Sequence, residues 1–147
     1  MKIVILGAGQ VGASVAEALA SEVNDVTVVD QSGPCLAQLA DRLDVRTVTG
    51  NAALPSVLKN AGIEDAEMLV AVTQSDQTNL VACKIARGLF NVPTRIARLR
   101  GLDLVKDQNL LADDMFSVSH AICPEQEVTD YIARLIAFPE ALQVLEF

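Results

Sequence analysis

Lys2-Ile3-Val4-Ile5-Leu6-Gly7-Ala8-Gly9-Gln10-Val11-Gly12 is the stretch that decides how this chain folds. Its first half is apolar and β-branched, as a parallel strand buried on both faces should be. Its second half places three glycines where a strand must turn sharply into a helix. Gly7 permits the turn. Gly9 carries no side chain, so a pyrophosphate can approach the backbone. Gly12 lets the following helix lie close to the strand. The helix opening near Gln10 presents N–H groups without intrahelical partners, and a partial positive charge, to an anion.

The flanks agree with this reading. Val11, Val15, Ala16, Leu19 and Ala20 form an apolar stripe at helical spacing. Val26-Thr27-Val28-Val29 then reads as a second strand ending at Asp30. A carboxylate about 20 residues past such glycines is placed to accept hydrogen bonds from a ribose diol, and it would repel a 2′-phosphate. The bland alternative is that the glycines only shape a turn and Asp30 caps the next helix. Context on both sides favours a nucleotide, and an NAD-like one over an NADP-like one.

Strand and helix signals alternate to the end of the chain. Gln31-Ser32-Gly33-Pro34 is a turn with a helix start, followed by a stripe of Leu36, Leu39, Ala40 and Leu43. Val45 to Thr49 is a third strand stopped by Gly50. A helix covers Leu54 to Ala61, with Pro55 tolerated in its first turn and Gly62 ending it. Met68 to Val72 is a fourth strand. A helix opening at Gln74-Ser75-Asp76 runs to Phe90, and Thr94 to Leu99 is a fifth strand. A short helix over Asp103 to Leu111, a strand over Ser119 to Cys123 and a helix over Pro124 to Ala137 complete the set. Six such units predict an α/β Rossmann fold: a doubly wound, parallel six-stranded sheet, helices on both faces, strand order 3-2-1-4-5-6. A ligand would lie across the carboxyl ends of the strands where that order reverses.

The strand ends supply further candidates. Gly50-Asn51-Ala52 should lie beside an adenine ring, or it is simply a polar turn. Thr73 to Asp76 combines a strand end with a helix start, and capping alone would explain Ser75 or Asp76. Arg98 is placed to reach phosphates or to pair with a surface carboxylate.

Bulk properties narrow the function. The chain has 147 residues, one domain's worth, and 51% of them are hydrophobic. No apolar run approaches the ~18 residues of a membrane span, and the N-terminus does not resemble a signal peptide. A net charge of −8 argues against a nucleic-acid or anionic-membrane surface. Cys35, Cys83 and Cys123 form no CxxC pair and no metal spacing, which fits reduced thiols in the cytosol. A dehydrogenase needs an acid/base and a substrate site besides its cofactor. No Tyr-x-x-x-Lys pair and no His–carboxylate pair occurs. The sole tyrosine, Tyr131, falls in the last helix, and His120 has no relay partner at short range.

Taken together, Gly7 to Gly12, Val28-Val29-Asp30, Gly50-Asn51-Ala52, Thr73-x-x-Asp76-x-x-Asn79 and Ala97-Arg98 resemble the N-terminal nucleotide-binding domain of the RCK/KTN family of potassium-transport regulators. The resemblance covers essentially the whole chain. It implies a regulator rather than a catalyst. Its ligands would be NAD or NADH, and also ATP or ADP. Its partner would be a transmembrane potassium-translocating subunit, with the domain cytoplasmic and peripheral at the inner face of the membrane. It would self-associate as dimers and, in a full-length protein, higher rings. By the same resemblance Gly7, Ala8, Gly9, Gln10 and Val11 would hold pyrophosphate, Asp30 the adenosine ribose, and Asn51 and Ala52 the adenine side. Thr73 and Gln74 would line the central cleft, and Arg98 would face phosphate. Many relatives carry Arg in place of Gln10 and Asp in place of Asn51, which weakens the case for a triphosphate and leaves a dinucleotide comfortable. Residues 1–138 would be the nucleotide-binding domain, and 139–147 the start of a connection to a missing C-terminal module. Leu110, Leu111, Ile132, Leu135, Ile136 and Phe138 are either core of the late helices or a self-associating face. Two rival readings are the cofactor domain of an NAD-dependent oxidoreductase and an adenosyl-methionine-binding domain.

Overall fold

The computed structural model describes residues 1–21, 23–122, Ile132, Arg134 and Ile136. Six strands form a single parallel sheet: β1 (Lys2–Leu6), β2 (Asp25–Asp30), β3 (Arg46–Thr49), β4 (Met68–Ala71), β5 (Thr94–Arg98) and β6 (His120–Ile122). Their order is β3-β2-β1-β4-β5-β6, as the alternation of elements predicts. The chain therefore winds outward from β1 to β3, then returns to place β4 on the other side of β1.

Side-chain parity explains why both faces are covered. Ile3, Ile5, Val26, Val28, Val70 and Ile96 point to one face. There they pack against α1 (Gln10–Leu19) and α2 (Gly33–Arg42). Val4, Leu6, Val29, Leu69 and Ala97 point to the other, against α3 (Pro55–Asn60) and α4 (Asp76–Gly88). In α1 the buried residues are Val11, Gly12, Val15, Ala16 and Leu19. In α2 the stripe is narrower than expected: Leu36 and Leu39 are buried, Leu43 is partly so, and Ala40 is exposed.

Registers bring the carboxyl ends of the inner strands level. Leu6 pairs with both Val29 and Ala71. Backbone bonds continue past the strands: the Gly7 amide donates to the Val29 carbonyl (2.8 Å), Val72 to Leu6 (2.9 Å) and Gly50 to Asp30 (2.9 Å). The loops after β1, β2, β3 and β4 are thereby tied to one edge.

Two differences from the sequence reading have local causes. The helix expected over Asp103 to Leu111 is two, α5 (Leu102–Lys106) and α6 (Gln108–Leu111). Asp107 divides them because its carboxylate accepts from the Asn109 and Leu110 amides and so starts a new helix. A 3-10 turn over Ile63–Asp65 follows Gly62, whose φ of +83° ends α3. The late apolar residues divide between the two faces of the sheet. Ile132 is fully buried in the α1/α2 core and Ile136 packs against it, whereas Leu111 packs on the α3/α4 side. Ile132 is core, whereas Leu111 and Ile136 are only partly buried. Leu135, Phe138, Tyr131, Cys123 and the remainder of the expected last helix and tail lie outside the described residues.

Arg95 is a buried cation that serves the fold. Its guanidinium donates to the Val92, Pro93 and Ser117 carbonyls and pairs with Asp113 at 3.2 Å. Among the described residues these loop carbonyls have no strand or helix partner, so the arginine supplies their donors. Burial lowers its pKa and Asp113 opposes that shift. Cys83, fully buried nearby, has its thiol pushed up to about 12 by desolvation.

Candidate functional site

Where the strand order reverses, a cleft of about 530 Å³ opens at the carboxyl edge of the sheet. Its walls are the loops after β1, β2, β3, β4 and β5. Ten of the eleven candidate residues line it: Gly7, Gly9, Gln10, Val11, Asp30, Asn51, Ala52, Thr73, Gln74 and Arg98.

Ala8 stands apart. Its side chain is buried in the α1/α2 core, and its amide donates to Asp30 Oδ2 at 2.7 Å. That N–H is committed to a carboxylate and is not among those an incoming phosphate would meet.

The three glycines of the first loop differ in what they tolerate. Gly7 has φ +111°, and a Cβ there would stand 2.9 Å from the Val72 carbonyl oxygen. A Cβ on Gly12 would stand 1.7 Å from the Gly7 carbonyl oxygen. Gly9 is the opposite case, with no atom within 4 Å of where its Cβ would be. The first two are therefore required by packing, and the third borders open space. Gly9 is also the N-cap of α1 and makes no side-chain cap, so the helix opens onto the cleft with its first amides uncapped.

Asp30 is organised from both sides. Oδ2 accepts from Ala8, and Oδ1 accepts from the Ser32 amide at 2.7 Å. A carboxylate has about four lone-pair sites, so two bonds leave capacity for a diol. Asn51 both lines the cleft and closes a turn, its Oδ1 accepting from the Ala53 amide at 2.9 Å. Ala52 is buried and also borders the cleft.

Across the cleft, Ser75 caps α4 by accepting from the Thr78 amide. Asp76 does not act as a cap. Its carboxylate reaches the backbone after β5 and accepts from Arg100 (3.0 and 3.1 Å) and Gly101 (2.9 Å). Arg98 is 4% exposed and lines the cleft together with Arg100. Three inter-strand steps separate β2 from β5, a span of about 14 Å. The cleft thus has an aspartate at one end, uncapped helix amides in the middle and two arginines at the other end.

Cys35 and Arg100 also line the cleft and carried no sequence signal of their own. Each lies a few residues past a recognised strand end, Asp30 and Arg98 respectively, which in retrospect was the available clue. His120 is half-buried on β6, is not part of the lining, and has its pKa lowered by burial. Among the described residues no group of three His, Cys, Asp or Glu side chains could hold a metal ion. No described helix is long and apolar enough to cross a membrane.

Comparison with known proteins gives the chain its relatives. The model of the TrkA-N domain family matches residues 3–123. The Trk system potassium uptake protein TrkA of Halomonas elongata is 53% identical over 147 residues, which is 100% of this chain and 32% of that protein. The chain spans about a third of the length of the curated relatives it matches in this way. Among solved structures, the TrkA-N domain of the inner membrane protein ybaL from Escherichia coli superimposes with a TM-score of 0.73 at 23% identity, over 91% of this chain and 95% of that one. The GsuK channel bound to NAD superimposes with a TM-score of 0.67 at 20% identity, over 82% of this chain and 21% of that one. At such identities the likeness is one of fold.

Proposed function

The chain belongs to the TrkA-N domain family, and from that premise we propose that it is a nucleotide-binding regulatory domain of a potassium uptake system. One observation carries the reading. The glycine loop, Asp30 and Arg98, set by sequence on three different strands, meet in a single cleft at the reversal of strand order.

NADH or NAD is the ligand the cleft suits best. The space beside Gly9 and the uncapped amides of α1 fit a diphosphate, and no acidic side chain stands in the first turn of that helix to oppose one. In this reading Gly7, Gly9, Gln10 and Val11 hold the diphosphate, and Ala8 acts through Asp30. Asp30 accepts from the adenosine ribose, and Asn51 and Ala52 border the adenine. Thr73 and Gln74 line the second half, and Arg98 neutralises phosphate. ADP and ATP share the first nucleoside and are accommodated by the same residues. The guanidinium groups at the β5 end favour them, and the uncharged Gln10 at the helix mouth does not.

Curated relatives carry potassium-uptake names, not enzyme names. The domain accordingly acts by binding. A ligand regulates when it binds two arrangements unequally, and a coupling of ~1–3 kcal/mol suffices. The partner is a transmembrane potassium-translocating subunit, reached from the cytoplasmic face of the membrane. Dimers, and larger rings in a longer protein, are the assembly through which occupancy is passed on.

Titration calorimetry with NADH, NAD, ATP, ADP and S-adenosylmethionine tests the proposal. NADH or NAD should bind, and S-adenosylmethionine should not. No heat with any nucleotide would overturn it. Turnover of NADH with small carbonyl compounds would replace regulation with catalysis.

A further inference from the structure

We infer that Asp76 and Asn79, neither of which lines the cleft, are positioning residues that set its β4–β5 half. The inference rests on the reading above, in which a dinucleotide spans both halves.

Asn79 is fully buried in α4. Its Oδ1 accepts from the Thr73 amide (3.0 Å) and the Thr73 hydroxyl (2.7 Å). Its Nδ2 donates to the Thr73 carbonyl (3.2 Å) and the Arg98 carbonyl (2.8 Å). A side-chain amide offers two acceptor sites and two donors, and all four are used. Their chemistry also fixes which way the amide faces, because the oxygen must meet the Thr73 amide and the nitrogen must meet the two carbonyls. One side chain thus joins the end of β4 to the end of β5, and both residues it joins line the cleft.

The Thr73 hydroxyl is constrained as well. Its single proton lies between the Asn79 Oδ1 at 2.7 Å and the more distant Ser75 carbonyl at 3.2 Å, and one lone pair takes the Ser75 amide at 3.2 Å. Only an acceptor site remains for a ligand. Thr73 therefore suits a ligand hydroxyl or amide N–H, and the guanidinium groups of Arg98 and Arg100 suit an anion. Asp76 completes the device one turn earlier. By accepting from the Arg100 and Gly101 amides it fixes the path of the backbone that carries Arg98 and Arg100. Asp76 and Asn79, on the opening turn of α4, thus position three cleft-lining residues at the ends of two strands without lining the cleft themselves, whereas Ser75 and Thr78 beside them do line it.

The β1–β2 half has its own supports, Ala8, Ser32 and Ala53. This independence gives the test. Asn79→Asp turns two donors into acceptors that face the Thr73 and Arg98 carbonyls. Asp76→Ala removes the acceptor for Arg100 and Gly101. Both variants of the 147-residue chain are checked for folding by circular dichroism and thermal melting, then titrated with NADH and with AMP. AMP reaches only the Gly7, Asp30 and Asn51 side. NADH affinity should fall at least tenfold in each folded variant, with AMP affinity kept within twofold. Should Asn79→Asp fail to fold, Asp76→Ala at its partly exposed site carries the same comparison. Equal loss of both probes would overturn the inference, since the residues would then only hold up the fold. Unchanged NADH affinity would overturn it too. Wild-type protein that takes up neither probe refutes the nucleotide-binding reading itself, and this inference falls with it.

Discussion

Gly9→Ala and Gly12→Ala add the same single methyl three residues apart, and the structure assigns them opposite consequences. At Gly12 the new Cβ would stand 1.7 Å from the Gly7 carbonyl oxygen and 2.6 Å from its carbon, where real Cβ atoms keep at least 3.0 Å. The obstructing atoms are backbone, so no side chain can swing aside. Helix α1 must retreat by more than an ångström from the turn it abuts, and Val11, Val15, Ala16 and Leu19 retreat with it from the sheet. Overpacking costs about 1–3 kcal/mol, and a 0.5–1 Å gap forfeits a quarter to a half of each dispersion contact. The expected loss is about 3–5 kcal/mol. At 2–4 °C per kcal/mol for a domain of this size, the melting temperature should fall by about 6–20 °C. At Gly9 no atom lies within 4 Å of the new Cβ, and φ is an ordinary −74°. Stiffening the unfolded chain gains about 0.4–1 kcal/mol, and the poorer N-cap loses a similar amount. Stability should therefore stay within about 1 kcal/mol of wild type. The methyl instead occupies the space proposed for the diphosphate, so NADH affinity should drop at least tenfold. Urea unfolding and calorimetry on both variants read the two effects separately. A Gly12→Ala protein as stable as wild type would refute the packing argument. Undiminished NADH binding by Gly9→Ala would remove the loop from the site.

Three further outcomes follow from single groups. Asp30→Ala should weaken AMP and NADH alike, because it strips the ribose acceptor proposed for both. It should also cost about 1–3 kcal/mol, since the Ala8 and Ser32 amides lose their partner; unchanged affinity in titration would take Asp30 out of the site. Thr27 is fully buried on β2, and its hydroxyl oxygen has no hydrogen-bond partner among the described residues. Thr27→Val should then stabilise the protein by about 1 kcal/mol in urea unfolding, and a lower midpoint would contradict this. The Cys83 thiol is held up at about 12 in the folded state, against 9.0 for a free thiol. Because the unfolded chain ionises first, the stability it contributes is complete below pH 9 and is lost as pH rises towards 12. Cys83→Ala should flatten the fall in stability between pH 9 and 11, and an identical slope in wild type and variant would refute the shift.

The parts of the fold that could be read from sequence are those whose cause is local. A β-branched run, three glycines at fixed offsets and a carboxylate at the next strand end each act over a few residues, and they placed β1, α1, Asp30 and the cleft. Asp107 escapes a sequence reading as a helix divider because an aspartate at that position also suits an uninterrupted helix, and only the fold shows its carboxylate accepting from the Asn109 and Leu110 amides. Asn79 and Asp76 were visible as part of a spacing, but their roles were not. Thr73 is six residues from Asn79, but the partners at the end of β5 lie 19 to 25 residues away, across a strand pairing between β4 and β5 that only the folded sheet creates. Arg95 shows the same blindness from the other side. It sits on the same strand as Arg98, yet three loop carbonyls and Asp113 hold it within the fold and away from the lining of the cleft.

Asp30 is anchored by two amides of its own chain before any sugar arrives. Its geometry is therefore prepaid in folding, and an empty pocket has no reason to collapse or rearrange there. If Asp30 takes a ribose as proposed, departure of the ligand should leave that end of the cleft as it was, ready for the next molecule. Such a pocket fills and drains in step with the concentration around it, which is the behaviour of a gauge rather than of a latch.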